Sequence, residues 1–376
     1  MDHLPVQSFK EHTGQVLDLL ARLVKLESPS TNKSAVDQLG DFIARELKNL
    51  GACVTIHRQQ DRGNHISAQW GDGKAGMLFL CHMDTVWEVG TLDRMPFFEK
   101  DGKLYGPGVA DMKGGIALFL AVIRVLSEKS CLPERPITIL LNSDEEIGSG
   151  SSRHLIESLG QQAEVVFCLE PGLSNGALKT ARKGTGNIEI VAHGRAAHAG
   201  ADHKSGRNAI EELAHHVLAA QKLTDYDKGT TVNVGVIHGG TRSNVVPDEA
   251  QASVDFRVVV PEESARLRAW TQSLKPVLDG TNITASLELN RPPMPRNTLM
   301  VSTFQKAQAI ADKIGLILSE GSTGGASDAN FVAPLGVPVL DGLGVVGDCT
   351  HAEGEHLLIS SIPEREALLA ALLMGW

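Results

Sequence analysis

Three short runs, apolar throughout but for Thr138, constrain this chain more than anything else in it: Met77–Cys81, Ile137–Leu141 and Val165–Leu169. A run of about five apolar residues without polar alternation reads as a strand buried on both faces, as in a sheet covered by helices. Helical spacing surrounds them, in Val16–Leu26 and in Ile116–Leu126, the second opened by Gly114-Gly115, while Cys53–His57 alternates like an edge strand. Strands interleaved with helices predict a doubly wound α/β domain.

The pattern changes from about Lys183. Strands are expected at Asn187–Ala192, Thr231–Ile237, Ala252–Val260 and Thr284–Leu289, and helices at Asn208–Gln221 and Glu262–Leu278. The order strand, helix, strand, strand, helix, strand suits a small α+β sandwich of the split βαβ, ferredoxin-like kind. After Arg291-Pro292-Pro293-Met294-Pro295, long helices and a buried strand at Val337–Leu340 return. A chain of 376 residues exceeds one ordinary core. The expectation is therefore a larger α/β domain, residues 1–182 and 291–376, carrying an inserted domain, residues 183–290.

Composition removes several function classes. A formal charge of -10 with no basic run argues against nucleic-acid partners. No apolar run approaches the roughly 20 residues of a membrane span, and Met1–His12 lacks the apolar segment of a signal peptide. A cytoplasmic location without a membrane partner is expected. The five cysteines show no Cys-x-x-Cys spacing, so neither a disulfide scaffold nor a thiolate metal site is indicated. Cys53, Cys131 and Cys168 lie in apolar runs and read as buried thiols.

Side chains able to hold metal collect just after the apolar strands or in glycine-rich loops. They stand in His82-Met83-Asp84, Gly108-Val109-Ala110-Asp111, Ser143-Asp144-Glu145-Glu146, Leu169-Glu170-Pro171 and Thr350-His351. In open α/β sheets the functional crevice lies at the carboxyl ends of the strands, where His82, Glu145, Glu146 and Glu170 converge. Imidazole and carboxylate donors without thiolates suit zinc in a hydrolytic site, and cobalt or manganese would fit the same donors. Two histidines and three carboxylates suffice for two ions if one carboxylate bridges. Each element alone has a plainer reading: a satisfied polar histidine, acids in a helix's first turn, or Asp111 as an N-cap. Their placement at the ends of successive strands favours the metal centre.

Leu80-Cys81-His82-Met83-Asp84-Thr85-Val86, Tyr105–Gly115, Asp144–Ser149, Gly194–Gly200 and Ser243–Pro247 resemble, in order, the signatures of the M20 metallopeptidase family. Thr323–Ala329 and Ile359–Pro363 are most similar to its carboxypeptidase G2 (glutamate carboxypeptidase) branch. The resemblance implies a zinc-peptidase catalytic domain with a mixed central sheet flanked by helices, and an inserted lid and dimerisation domain. It implies that Asp111 bridges two divalent ions, with His82 and Glu170 on one and Glu146 and His351 on the other. Glu145 would be the general base and Asp84 would orient His82 by accepting its second N–H. His198 would bind the scissile carbonyl, Asn244 and Arg291 the substrate's carboxylate, and Gly324 and Gly325 would let backbone N–H groups approach it. The implied activity is release of a C-terminal amino acid from a small peptide or N-acyl amino acid. Deacylation of the acetylornithine or succinyl-diaminopimelate type is the alternative, and a non-catalytic metal-binding dimer is the reading from another class. That branch has a lysine contacting a glutamate side chain; Lys179 and Lys183 are both candidates for it but neither aligns cleanly, so a preference for C-terminal glutamate stays open.

Overall fold

The computed structural model describes residues 4–73 and 76–376. It is built around β3 (Met77–His82), in which every residue is buried. That strand is flanked on both sides, which is why its sequence carries no polar alternation. The sheet also contains β1 (Cys53–His57), β2 (His65–Trp70), β4 (Ile137–Asn142), β5 (Val165–Cys168) and a short edge strand, Val339–Leu340. Its order is β1-β2-β4-β3-β5 and then Val339–Leu340. β4, β3, β5 and Val339–Leu340 run parallel, while β2 joins β4 antiparallel and β1 joins β2 antiparallel, so the sheet is mixed.

The register fixes where the strands end. His82 lies opposite Asn142, and Leu80 opposite Cys168. Residues that follow β3, β4 and β5 therefore leave the sheet along one edge.

The helices α1 (Thr13–Lys25), α2 (Lys33–Asn49) and α3 (Gly114–Glu128) contribute Leu20, Leu23, Leu39, Ile43, Phe119 and Ile123 to the main core. Phe119 lies between Trp70 and Phe79, with ring centroids 5.9 and 4.9 Å away. Gly115 is required by a close approach, since a Cβ there would sit 2.2 Å from the Leu169 carbonyl oxygen. The N-terminal turn of α3 can thus pack directly on the backbone that leads into Glu170.

The chain divides into two units, one of Met1–Ala181, Arg296–Thr323 and Ser327–Trp376, the other of Arg182–Pro295 with Gly324–Ala326. The second unit holds β6 (Gly184–His193), β7 (Thr231–Gly239), β8 (Glu249–Val258) and β9 (Asn282–Arg291) in an antiparallel sheet of order β7-β8-β6-β9. Ile188, Ile190, Val254, Phe256 and Leu267 form its own core beneath helices Ala209–Gln221 and Pro261–Ser273.

Some sequence expectations need correction. The second of these helices ends at Ser273 rather than Leu278. Pro276 disfavours helix in the residue before it. Beyond it, the Val277 and Leu278 N–H groups donate to the buried Glu212 carboxylate instead of to helix carbonyls. Cys53 is exposed and Cys131 half-buried, against the expectation of buried thiols; only Cys168 of the three is buried. Among the described residues no helix is long and apolar enough to cross a membrane.

Candidate metal centre

Three parallel strands deliver acid and imidazole groups to one edge of the sheet. His82 is the last residue of β3, Glu145 and Glu146 open a single 3-10 turn (Glu145–Ile147) just past β4, and Glu170 stands two residues past β5. Asp111 comes from the irregular turn Val109–Lys113 that feeds α3. His351 comes from a C-terminal loop in which its own backbone is left-handed, with φ 63°. That conformation is costly for a side chain with a Cβ and is found where a site requires it.

These groups meet. His82 Nε2 lies 3.0 Å from Asp111 Oδ1 and 3.5 Å from Glu170 Oε1. His351 Nε2 lies 3.3 Å from Asp111 Oδ2 and 3.0 Å from Glu146 Oε2. The Asp111 carboxylate thus shares its two oxygens between two imidazoles, each with a further carboxylate of its own. Donor atoms of His82, Asp111 and Glu146 all fall within 4.8 Å of one another.

The electrostatics are those of a cation site. The carboxylates outnumber the imidazoles even when both rings are protonated. The Asp111 carboxyl is pulled well below the usual carboxylate range: burial pushes it up, but His351 and His82 outweigh that push. Donating hydrogen bonds to Asp111 and Glu146 raises His351 to about 11. His82 is raised well above its ordinary value, burial being overcome by Asp111, Asp84 and Glu170. Burial raises Glu146 to about 6.

One atom tests whether metal fits. Glu146 Oε1 is buried and has no hydrogen-bond partner among the described residues, a costly state for a carboxylate oxygen unless a cation completes it. Imidazole nitrogens and carboxylate oxygens together suit a divalent metal ion.

Asp84 meets His82 through its backbone. His82 Nδ1 donates to the Asp84 backbone carbonyl at 2.9 Å, while the Asp84 carboxylate stands 3.6 Å away. A carbonyl only accepts, so Nδ1 carries hydrogen and Nε2 faces Asp111 and Glu170. The fully buried Asp84 carboxylate instead accepts the Glu145 N–H at 3.2 Å, the Glu146 N–H at 3.1 Å and the Ser30 hydroxyl at 2.7 Å. It anchors the turn that carries both glutamates.

Sequence reasoning missed Glu355. Its side chain is fully buried and accepts from the Gly108, Ala110 and Asp111 N–H groups and from the Trp87 indole. Burial raises its carboxyl, with the backbone donors pulling the other way. The residue joins the Asp111 loop to the segment that carries His351. Its closeness to His351, four residues earlier, was the available signal.

The remaining expected residues lie in the second unit. His198 pairs opposite Val245, which places Asn244 beside it, and the Ala199 N–H donates to the Asn244 carbonyl at 3.0 Å. His198 Nδ1 accepts from the Gly200 and Ala201 N–H groups, so its Nε2 is the donor nitrogen. Arg291 ends β9 and is buried. Gly324 and Gly325 are exposed, and Arg182 Nη1 donates to the Gly325 carbonyl at 3.2 Å.

The chain is similar to known proteins over most of its length. The sequence signature of peptidase family M20/M25/M40 matches residues 78–375. Carboxypeptidase G2 of Pseudomonas sp. (strain RS-16) is 31% identical over 99% of this chain and 92% of its own. Succinyl-diaminopimelate desuccinylase of Xanthomonas oryzae pv. oryzae is 29% identical over 96% of this chain and 98% of its own. Among solved structures, a dinuclear metal-binding M20 peptidase of Bacillus subtilis shares the fold with a TM-score of 0.71 at 13% identity, covering 97% of this chain and 98% of that one.

Proposed function

The chain belongs to peptidase family M20/M25/M40, a metal-dependent hydrolase, and from that premise we propose that it releases the C-terminal amino acid from a small peptide or N-acyl amino acid. The observation that carries the reading is the Asp111 carboxylate divided between His82 and His351. His82, Glu170 and one oxygen of Asp111 would hold one ion, and His351, Glu146 and the other oxygen the second. Zinc suits these donors best, with cobalt or manganese as substitutes. Bound ions would polarise the scissile carbonyl and make the attacking water more acidic.

Glu145 takes the water's proton and passes it to the leaving amine. It suits that role because Asp84 fixes its backbone and the ligand set is complete without it. His198 offers its Nε2–H to the scissile carbonyl oxygen, since its Nδ1 is already accepting. Arg291, through its bidentate fork, and Asn244 hold the substrate's carboxylate, with the Gly324 and Gly325 backbone beside it.

Residues 183–290 would form the lid and the homodimer contact. The edge strand β7 supports this, with Val236 and Ile237 about half exposed. Five free cysteines fit a reducing cytoplasm.

Likeness to succinyl-diaminopimelate desuccinylase supports a second reading, deacylation of an N-acyl amino acid. Amino-acid release from dipeptides, N-acyl glutamates, and N-acetyl and N-succinyl amino acids separates the two, with zinc-loaded and chelated enzyme side by side. Chelator-sensitive release set by the C-terminal residue is expected. Release confined to acetyl or succinyl substrates selects the deacylase, and none from any substrate refutes both.

A further inference from the structure

His65, on β2, is almost fully buried and has no place in the ligand set, yet both of its ring nitrogens are engaged. Nδ1 lies 3.1 Å from Ser143 Oγ and Nε2 lies 3.2 Å from Ser151 Oγ. Ser143 and Ser151 flank the loop that bears Glu145 and Glu146. We propose that His65 is a positioning residue for the reaction, clamping both ends of that loop to β2 so that Glu145 stays on the attacking water.

The proton count supports a directed clamp. Ser143 has one hydroxyl hydrogen and donates it to the Gly63 carbonyl at 2.5 Å, so its oxygen can only accept from His65 Nδ1–H. Burial lowers the pKa of His65; Asp144 and Asp84 oppose this and the neighbouring His57 adds to it. The ring is therefore neutral at pH 7, with Nε2 as its acceptor. The Ser151 hydrogen then has two claimants, His65 Nε2 and Asp144 Oδ2 at 2.7 Å. Asp144 keeps the Ser151 N–H at 2.7 Å and the Ser152 hydroxyl at 2.6 Å whichever claimant wins. His65 thus holds Ser143 at one end of the loop, and holds Ser151 at the other when the Ser151 hydrogen turns to Nε2.

The proposal rests on Glu145 as base, so zinc-loaded His65→Leu, His65→Asn and Glu145→Gln are assayed together on the best substrate of the panel above. His65→Leu should lose roughly ten- to a hundredfold in kcat, with KM within about twofold and both metals retained. His65→Asn, which restores a donor to Ser143, should recover part of that loss. In the ¹⁵N spectrum of the wild type at pH 7, His65 should be neutral and protonated at Nδ1. Wild-type kcat in His65→Leu while Glu145→Gln is inactive overturns the clamp alone. Normal turnover by Glu145→Gln overturns the base assignment and the clamp with it. An Nε2–H tautomer overturns the clamp even if His65→Leu fails to fold.

Discussion

Glu355 should be among the costliest single carboxylates to remove from the frame of the metal centre. Its Oε1 accepts the Ala110 N–H at 2.9 Å and the Asp111 N–H at 3.1 Å. Its Oε2 accepts the Gly108 N–H and the Trp87 indole N–H, both at 2.8 Å. In Glu355→Ala all four donors lose their acceptor inside the protein, and an unsatisfied buried donor costs about 1–3 kcal/mol. Water entering the space left behind offsets part of this, so the expected loss is ~4 kcal/mol. Glu355→Gln keeps one oxygen and turns an NH2 toward the other two donors, for a loss of ~2 kcal/mol on the same scale. Urea unfolding of the metal-free proteins at pH 7 measures both, and an unchanged m-value would show that the folded and unfolded states still differ by the same surface. A Glu355→Ala loss below ~1 kcal/mol, or Gln costing as much as Ala, would refute this reasoning.

Two further outcomes follow from the ionisable groups. In the metal-free protein His82 and His351 are both held protonated at pH 7, His351 with a pKa of about 11. A metal takes the neutral imidazole, so loading the site should release about two protons and bind more tightly as pH rises. Calorimetry in two buffers of different ionisation enthalpy reads the proton number, and zero release contradicts the assignment. In the second unit Glu212 is fully buried, which pushes its carboxyl up, but the Val277 and Leu278 N–H groups, His216 and Thr281 together hold it below its ordinary value of 4.5. A depressed folded pKa contributes stability above the unfolded value and loses it as pH falls through the folded one. The stability gap between wild type and Glu212→Gln should therefore narrow below about pH 4.5; a gap independent of pH contradicts it.

The parts legible in the sequence are those where one physical demand dominates. A strand buried on both faces needs continuous apolar residues, so Met77–His82, Ile137–Asn142 and Val165–Cys168 were readable to within a residue or so. The convergence of His82, Glu145, Glu146 and Glu170 on one edge was readable because they end or follow those strands. β2 was not, since His65–Trp70 mixes His, Ser and Gln with apolar residues, and its His65 serves the loop past β4 rather than the core. The helix expected to reach Leu278 failed because its last turn competes with Glu212, a partner about 65 residues earlier. Asp84 was legible as a partner of the site, but not its division of labour, with the backbone carbonyl on His82 and the carboxylate on the Glu145 turn. Such pairings depend on long-range geometry that spacing along the chain does not encode.

The central claim is that Asp111 is shared by two ions while Glu145 holds neither. Metal content of zinc-loaded wild type, Asp111→Ala and Glu145→Gln, measured together with their turnover, tests it most directly. The account predicts two equivalents of zinc in the wild type. It predicts two in Glu145→Gln as well, with turnover down by several orders of magnitude, and one or fewer in Asp111→Ala. Two tightly held ions in Asp111→Ala, or loss of metal from Glu145→Gln, would contradict it.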